Sequence, residues 1–165
     1  MSKVDKLIAS LEVIELSIDS NDHSKIAIPN CPSSPGVYIL HFQDGSRYVG
    51  EGANLRKRWI AYRNAMSPAA AQNKVDEAKQ KGHRKPNNQQ TNIRMKALVL
   101  EKLRSGESVK LEIVGSVLLD GAVLDLTDKH QRKTAEAITL TRLMRQEVKI
   151  LNAEFQSLIL RLRQK

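Results

Sequence analysis

Apolar residues recur at helical spacing through Val4, Leu7, Ile8, Leu11 and Ile14, which predicts a short amphipathic helix over residues 4–13. A turn-rich stretch through Asp19-Ser20-Asn21-Asp22 follows, and Lys25-Ile26-Ala27-Ile28 reads as a short extended segment. Pro29, Pro32 and Pro35 keep the approach to Gly36 out of helix, since proline lacks the N–H and restricts the residue before it. Residues 36–43 and 46–50 are strand-like runs either side of Asp44-Gly45 and predict a β-hairpin. Asn54 suits the N-cap of a helix over residues 55–66.

Residues 67–90 lose periodicity and gain Gln, Asn, Lys and Pro, so an insertion or long loop is expected there. Helical spacing returns over 92–104 through Ile93, Ala97, Leu100 and Leu103, and Gly106 suits the position that closes a helix. Val109 to Leu118 is a β-type run. A last long helix is predicted from near Asp128 to near Lys149, followed by Asn152 and an apolar, basic tail. Strands and helices interleave, so the fold class is α+β or α/β.

The hairpin carries two tyrosines, and its loop length decides where they point. With Asp44-Gly45 as a two-residue turn, Tyr48 pairs with His41 and the two phenols face opposite ways. With Gln43-Asp44-Gly45 as a three-residue loop and Gly45 left-handed, Tyr48 pairs with Leu40 and shares a face with Tyr38. Both registers fit the pattern.

Composition adds a partner class. The 165 residues carry a net charge of +9, which favours a polyanion such as nucleic acid. Only 4% of residues are aromatic, which argues against a surface that stacks many single-stranded bases. Between Lys74 and Lys96, seven cations (Lys74, Lys79, Lys81, Arg84, Lys85, Arg94 and Lys96) against Asp76 and Glu77 leave +5, over half the net charge. This basic segment is expected to hold phosphate backbone or to enter a groove, with Asn87, Asn88, Gln89 and Gln90 available to base edges. Arg56 and Lys57 are read as solvated or DNA-facing charges. Cys31 is the single cysteine, which excludes an intrachain disulfide and a cysteine-built zinc cage. With no apolar run of membrane-spanning length and no signal-like N-terminus, a cytoplasmic protein is expected.

Gly36-Val37-Tyr38, Tyr48-Val49-Gly50 and the following Asn54-Leu55-Arg56-Lys57-Arg58 resemble the GIY-YIG nuclease family. The core resemblance spans residues 36–66. Glu15-Leu16, Ile28-Pro29-Asn30 and Tyr62-Arg63 are similar to a narrower group, the phage endonuclease II and compact restriction endonuclease type. The resemblance implies a GIY-YIG-like fold, a small central antiparallel sheet flanked by helices, in one nuclease domain over 1–165. Within it, 1–35 is an extension, 36–66 the motif hairpin and helix, 67–96 the basic insertion, 97–152 the rest of the core and 153–165 a tail.

The resemblance also assigns roles, and because some relatives use a basic residue in the site it implies that one of Arg94 and Lys96 leans into it. Tyr38 matches the general base or water-positioning group, Tyr48 the tyrosine that orients the nucleophile, Arg58 the arginine on the scissile phosphate, and Tyr62 the helix tyrosine of restriction-type members. Arg58 and Tyr62, four apart, are neighbours on a helix face. A tyrosine base needs a nearby cation or metal to lower its pKa, and Arg58 is a candidate source of that field. Leu55, Trp59 and Met66 place Tyr62 equally on a buried stripe.

The family also needs a carboxylate for a divalent cation. Glu136 lies near an apolar helical face with Leu140, Leu143 and Leu151, where an uncompensated charge is costly. Glu147 lies at a similar angle and is its rival; Asn152, matching a late family asparagine, is better spaced from Glu136. One carboxylate with an otherwise open shell suits Mg²⁺ or Mn²⁺. Glu51, directly after the motif glycine, is read as a rim residue within reach of the site, and His41, His83 and His130 as solvent or surface histidines. The implied activity is metal-dependent hydrolysis of duplex DNA, restriction-like or phage-type. The alternatives are a structure-selective repair or recombination nuclease and a non-catalytic DNA-binding module. One such site cuts one strand, so a double-strand cut calls for a homo-oligomer or sequential nicks.

Overall fold

In the computed structural model, which describes residues 8–83 and 90–152, the chain runs as α+β. The elements are β1 (Ile8–Glu15), β2 (Gly36–Phe42), β3 (Arg47–Gly52), α1 (Leu55–Asn64), α2 (Pro68–Gln80), α3 (Gln90–Arg104), β4 (Val109–Leu119), β5 (Ala122–Val123) and α4 (Lys129–Arg145). The strands form one antiparallel sheet in the order β1-β4-β2-β3, with β5 folded back on β4. Alternation along the strands divides the core in two. Tyr38, Leu40, Phe42 and Tyr48 face α1 and α3, packing with Leu55, Trp59, Tyr62, Met95 and Val99. Val37, Ile39 and Val49 face α4, packing with Ala135 and Leu143.

The hairpin takes the three-residue loop. Gly45 adopts φ 91°, Gly45 N–H bonds the Phe42 carbonyl at 3.0 Å, and Tyr48 stands opposite Leu40. Both tyrosines therefore share a face. Asn54 caps α1, its side chain accepting from Lys57 N–H at 3.0 Å. Gly106, at φ 77°, ends α3 as expected.

Three sequence-based expectations are corrected. The first described segment is a strand, not a helix: Ile8–Glu15 pairs with β4 through an irregular register between Ala9 and Glu12. That bulge shifts the side-chain phase. Ile8 consequently packs in the α4 core and Ile14 against the α1 core, while Leu11 and Val13 stay exposed. Second, residues 68–80 form a helix where a loop was expected. Ser67 caps it, accepting from Ala70 N–H at 3.2 Å, Pro68 starts it, and Ala71 is its buried residue. Third, α4 stops at Arg145 instead of running to Lys149. Glu147 sits left-handed at φ 58°, and Val148 N–H returns to the Leu143 carbonyl at 3.4 Å, a Schellman-type end. The chain then turns alongside the outer edge of β3, where Ile150 bridges Arg47 in parallel.

Candidate active site

The hairpin and α1 bring four of the sequence-selected side chains together: Tyr38, Tyr48, Arg58 and Tyr62. The hydroxyls of Tyr38 and Tyr62 are hydrogen-bonded to each other. The Tyr38 ring lies 6.5 Å from both the Tyr48 and Tyr62 rings, and Trp59 meets Tyr38 and Tyr62 edge-on at 5.9 and 5.0 Å. The Arg58 guanidinium carbon stands 5.0 Å above the centre of the Tyr62 ring, a cation–π contact. Leu55, Trp59 and Tyr62 form the buried face of α1, so Tyr62 is both core residue and member of the cluster.

Gly50 makes this packing possible. It stands opposite Tyr38 in the hairpin, and a Cβ there would collide with the end of the Tyr38 ring. At Gly52 a Cβ would make only ordinary contact, 3.6 Å from the Arg58 Cβ, so the steric need for glycine is at Gly50.

The electrostatics run against a free phenolate. Burial pushes the Tyr38 phenol well above its ordinary value, Tyr62 and Tyr48 push it further, and Arg58 only partly offsets them. Burial, with Tyr62 beside it, likewise raises Tyr48. Arg58 thus supplies the expected lowering field at both phenols, and burial outweighs it. Arg58 itself stays firmly cationic: burial opposes its charge, but Tyr62 and Tyr38 outweigh that cost. Its Nε is buried without a hydrogen-bond partner.

Glu136 lies on the other face of the sheet, on α4, and is sheltered, with 15% of its side chain exposed. There Lys133 Nζ stands 3.5 Å from Glu136 Oε2 and 3.0 Å from Glu51 Oε1. Arg132 Nε donates to Glu51 Oε2 at 2.5 Å. Glu51 is therefore a sheltered member of a charge cluster and not a rim residue, its carboxyl held low despite burial by Arg132 and Lys133. Glu147, the rival carboxylate, is exposed beyond the end of α4. Sequence inspection missed Arg132 and Lys133, although they stand four and three positions before Glu136, the spacing of same-face neighbours. Among the described residues, no three His, Cys, Asp or Glu side chains gather into a metal cage. A pair of hard carboxylate oxygens already sharing one cation does fit Mg²⁺ or Mn²⁺ with water filling the remaining shell.

Asn152 is buried and clamps β3. Its Oδ1 accepts from Val49 N–H at 3.0 Å, and its Nδ2 donates to the Val49 carbonyl at 2.6 Å. It thereby satisfies the outward backbone of the residue between Tyr48 and Gly50.

The basic residues divide. Arg56, Lys57, Lys81 and Arg94 are exposed, and Arg94 is near enough to Tyr48 for its charge to be felt there. Lys96 instead turns inward and donates to the Ala65 carbonyl at the end of α1 at 2.5 Å, with burial lowering its pKa. Arg84, Lys85 and the tail 153–165 lie outside the described residues. His41 is not a surface histidine: it is half-buried and hydrogen-bonded to Glu112 at 2.8 Å. A cavity of about 800 Å³ opens between the ends of α1 and α3, lined by Lys25, Ala65, Ile93, Lys96, Leu100 and Arg104 among others; none of the four clustered residues lines it.

No protein-family model matches the chain, and no curated protein matches its sequence. Among solved structures, the chain is similar to a mutant of bacteriophage T4 EndoII, at 21% identity and a TM-score of 0.44, over 81% of this chain and 86% of that one. No helix among the described residues is long and apolar enough to cross a membrane.

Proposed function

We propose that this protein is a divalent-metal-dependent endonuclease that hydrolyses phosphodiester bonds in duplex DNA, a member of the GIY-YIG type. The observation that carries this reading is the odd-length hairpin loop, which turns Tyr38 and Tyr48 to one face, where Arg58 and Tyr62 meet them. The resemblance of the triplets and the net charge of +9 support it.

Arg58 is the phosphate ligand. A guanidinium makes charge-assisted bonds to phosphate oxygens and stabilises charge that develops on them in the transition state. Burial holds the Tyr38 and Tyr48 phenols protonated; the phenols orient Arg58, and Tyr48, the least buried of the three tyrosines, is the one that meets the attacking water. Tyr38, 0% exposed, acts through Tyr62 and is a positioning residue. Glu136 holds the cation, with Glu51 beside it. When bound, Mg²⁺ or Mn²⁺ supplies a Lewis acid and lowers the pKa of coordinated water. Arg56, Lys57 and Arg94, with Lys81, Arg84 and Lys85 of the basic segment, hold the DNA backbone and release counterions.

A non-catalytic DNA-binding module is the second reading, favoured by the full burial of Tyr38 and the placement of Glu136 across the sheet from Arg58. Supercoiled plasmid incubated with the protein and Mg²⁺ separates the two. Nicked or linear product that chelation abolishes supports the nuclease; plasmid bound but left intact supports the module.

A further inference from the structure

The cluster across the sheet from the phenols contains an asymmetry. Lys133 is shared by two carboxylates, yet its ammonium lies nearer Glu51 (3.0 Å) than Glu136 (3.5 Å). Glu51 is fixed independently of Lys133. Arg132, 7% exposed in its side chain, donates to the other Glu51 oxygen at 2.5 Å and to the Leu126 carbonyl at 3.0 Å. Lys133 is the exposed partner, at 55%, with a side chain long enough to reach water. Arg132, Lys133 and Glu136 all belong to one turn of α4, so whatever holds that turn to β3 also aims Glu136.

We propose that Glu51 is a positioning residue that draws the Lys133 ammonium off Glu136 and, through Arg132, fixes the helical turn that presents Glu136 to a divalent cation. This rests on the reading that Glu136 holds the ion. An ammonium and a metal ion compete for the same carboxylate oxygens, and Glu51 biases that competition by giving the ammonium a second place to sit. Without the Glu51 charge, Lys133 pairs with Glu136 alone, and the metal must displace it. Outer partners of this kind commonly change metal affinity by about 10–100-fold.

Direct Mn²⁺ binding, followed by calorimetry on the full chain with folding checked by circular dichroism, tests this without using activity. Glu51→Gln keeps an acceptor for Arg132 but loses the charge, and is expected to weaken Mn²⁺ binding by about 10-fold. Lys133→Met, at a position 55% exposed, keeps the aliphatic stem without the charge and is expected to tighten binding by several fold. The double variant is expected to recover at least wild-type affinity, because the competitor that Glu51 restrains is gone. If the double variant stays as weak as Glu51→Gln, Glu51 is a ligand in its own right and the positioning role falls. If Lys133→Met leaves affinity unchanged or weaker, the competition does not exist and the proposal fails even without the Glu51 variant. Plasmid cleavage by the wild type is scored separately. Cleavage with unshifted variants overturns only this inference; shifted Mn²⁺ affinities without cleavage overturn only the nuclease reading; no Mn²⁺ binding by the wild type overturns this inference and the metal-dependent mechanism together.

Discussion

Tyr62, on α1, and Tyr38, on β2, lie 24 positions apart in sequence, and their hydroxyls are bonded to each other beneath the Arg58 guanidinium. This pairing ties α1, the helix that carries Arg58, to the strand that begins the hairpin. It also keeps both groups out of water, at 1% and 0% exposure. Several consequences of that dry cluster are measurable.

The first is alkaline destabilisation. Tyr38 and Tyr48 have folded-state pKa values raised by burial above the unfolded value near 10. Below pH 10 both states keep the proton, so the contribution of these phenols is intact. Above it the unfolded chain loses protons first, and stability falls as pH rises. Urea unfolding between pH 8 and 11 is expected to show that loss, and Tyr38→Phe to reduce it. A flat profile across that window contradicts the buried-phenol account.

Gly50→Ala is expected to destabilise the fold, because the new methyl enters the space of the Tyr38 ring end, and neither backbone nor ring has room to yield. Overpacking of this kind costs about 1–3 kcal/mol. Gly36→Ala meets only the flexible end of Leu55, at 2.9 Å, and is expected to cost less. Chemical denaturation of the two variants side by side gives the ordering.

Asn152→Ala removes both partners of the Val49 peptide at a buried site. Each orphaned group costs about 1–3 kcal/mol. The hydrogen-exchange protection of Val49 N–H is expected to drop more than that of amides in the centre of β4.

At Glu147 the prediction is a gain. A side chain in the left-handed conformation at the end of α4 is strained, and its negative charge opposes the helix dipole. Glu147→Gly is expected to stabilise by about 1 kcal/mol, read as a higher denaturation midpoint.

The fold was legible where local chemistry and tertiary packing agree. Asn54 and Gly106 each do the local job that their residue type suits, so α1 and the end of α3 were foreseeable, whereas Gly45 permitted the three-residue hairpin loop without deciding between it and a two-residue turn. The strand at Ile8–Glu15 was not, because its bulge breaks the alternation and leaves Ile8, Leu11 and Ile14 three apart, which mimics a helix. The helix at Pro68–Gln80 was hidden by its composition: a nearly all-exposed helix has no apolar stripe, and only Ser67-Pro68 announced it. The site was legible by half. Tyr38, Tyr48, Arg58 and Tyr62 are close in sequence and meet through one hairpin and one helix. The link from Glu51 to Arg132 and Lys133 spans some eighty positions and depends on which face of β3 meets α4, which no local pattern encodes.

The central claim joins these halves across the sheet: Arg58 on one face and Glu136 on the other serve one cleavage reaction. The most direct measurement is the rate of supercoiled-plasmid cleavage in Mg²⁺ by the wild type, Arg58→Ala and Glu136→Gln, with DNA binding measured alongside. The account predicts cleavage by the wild type and a loss of about 100-fold or more in each variant, at largely retained binding. Wild-type rates in both variants, or bound plasmid that the wild type never cuts, would contradict it.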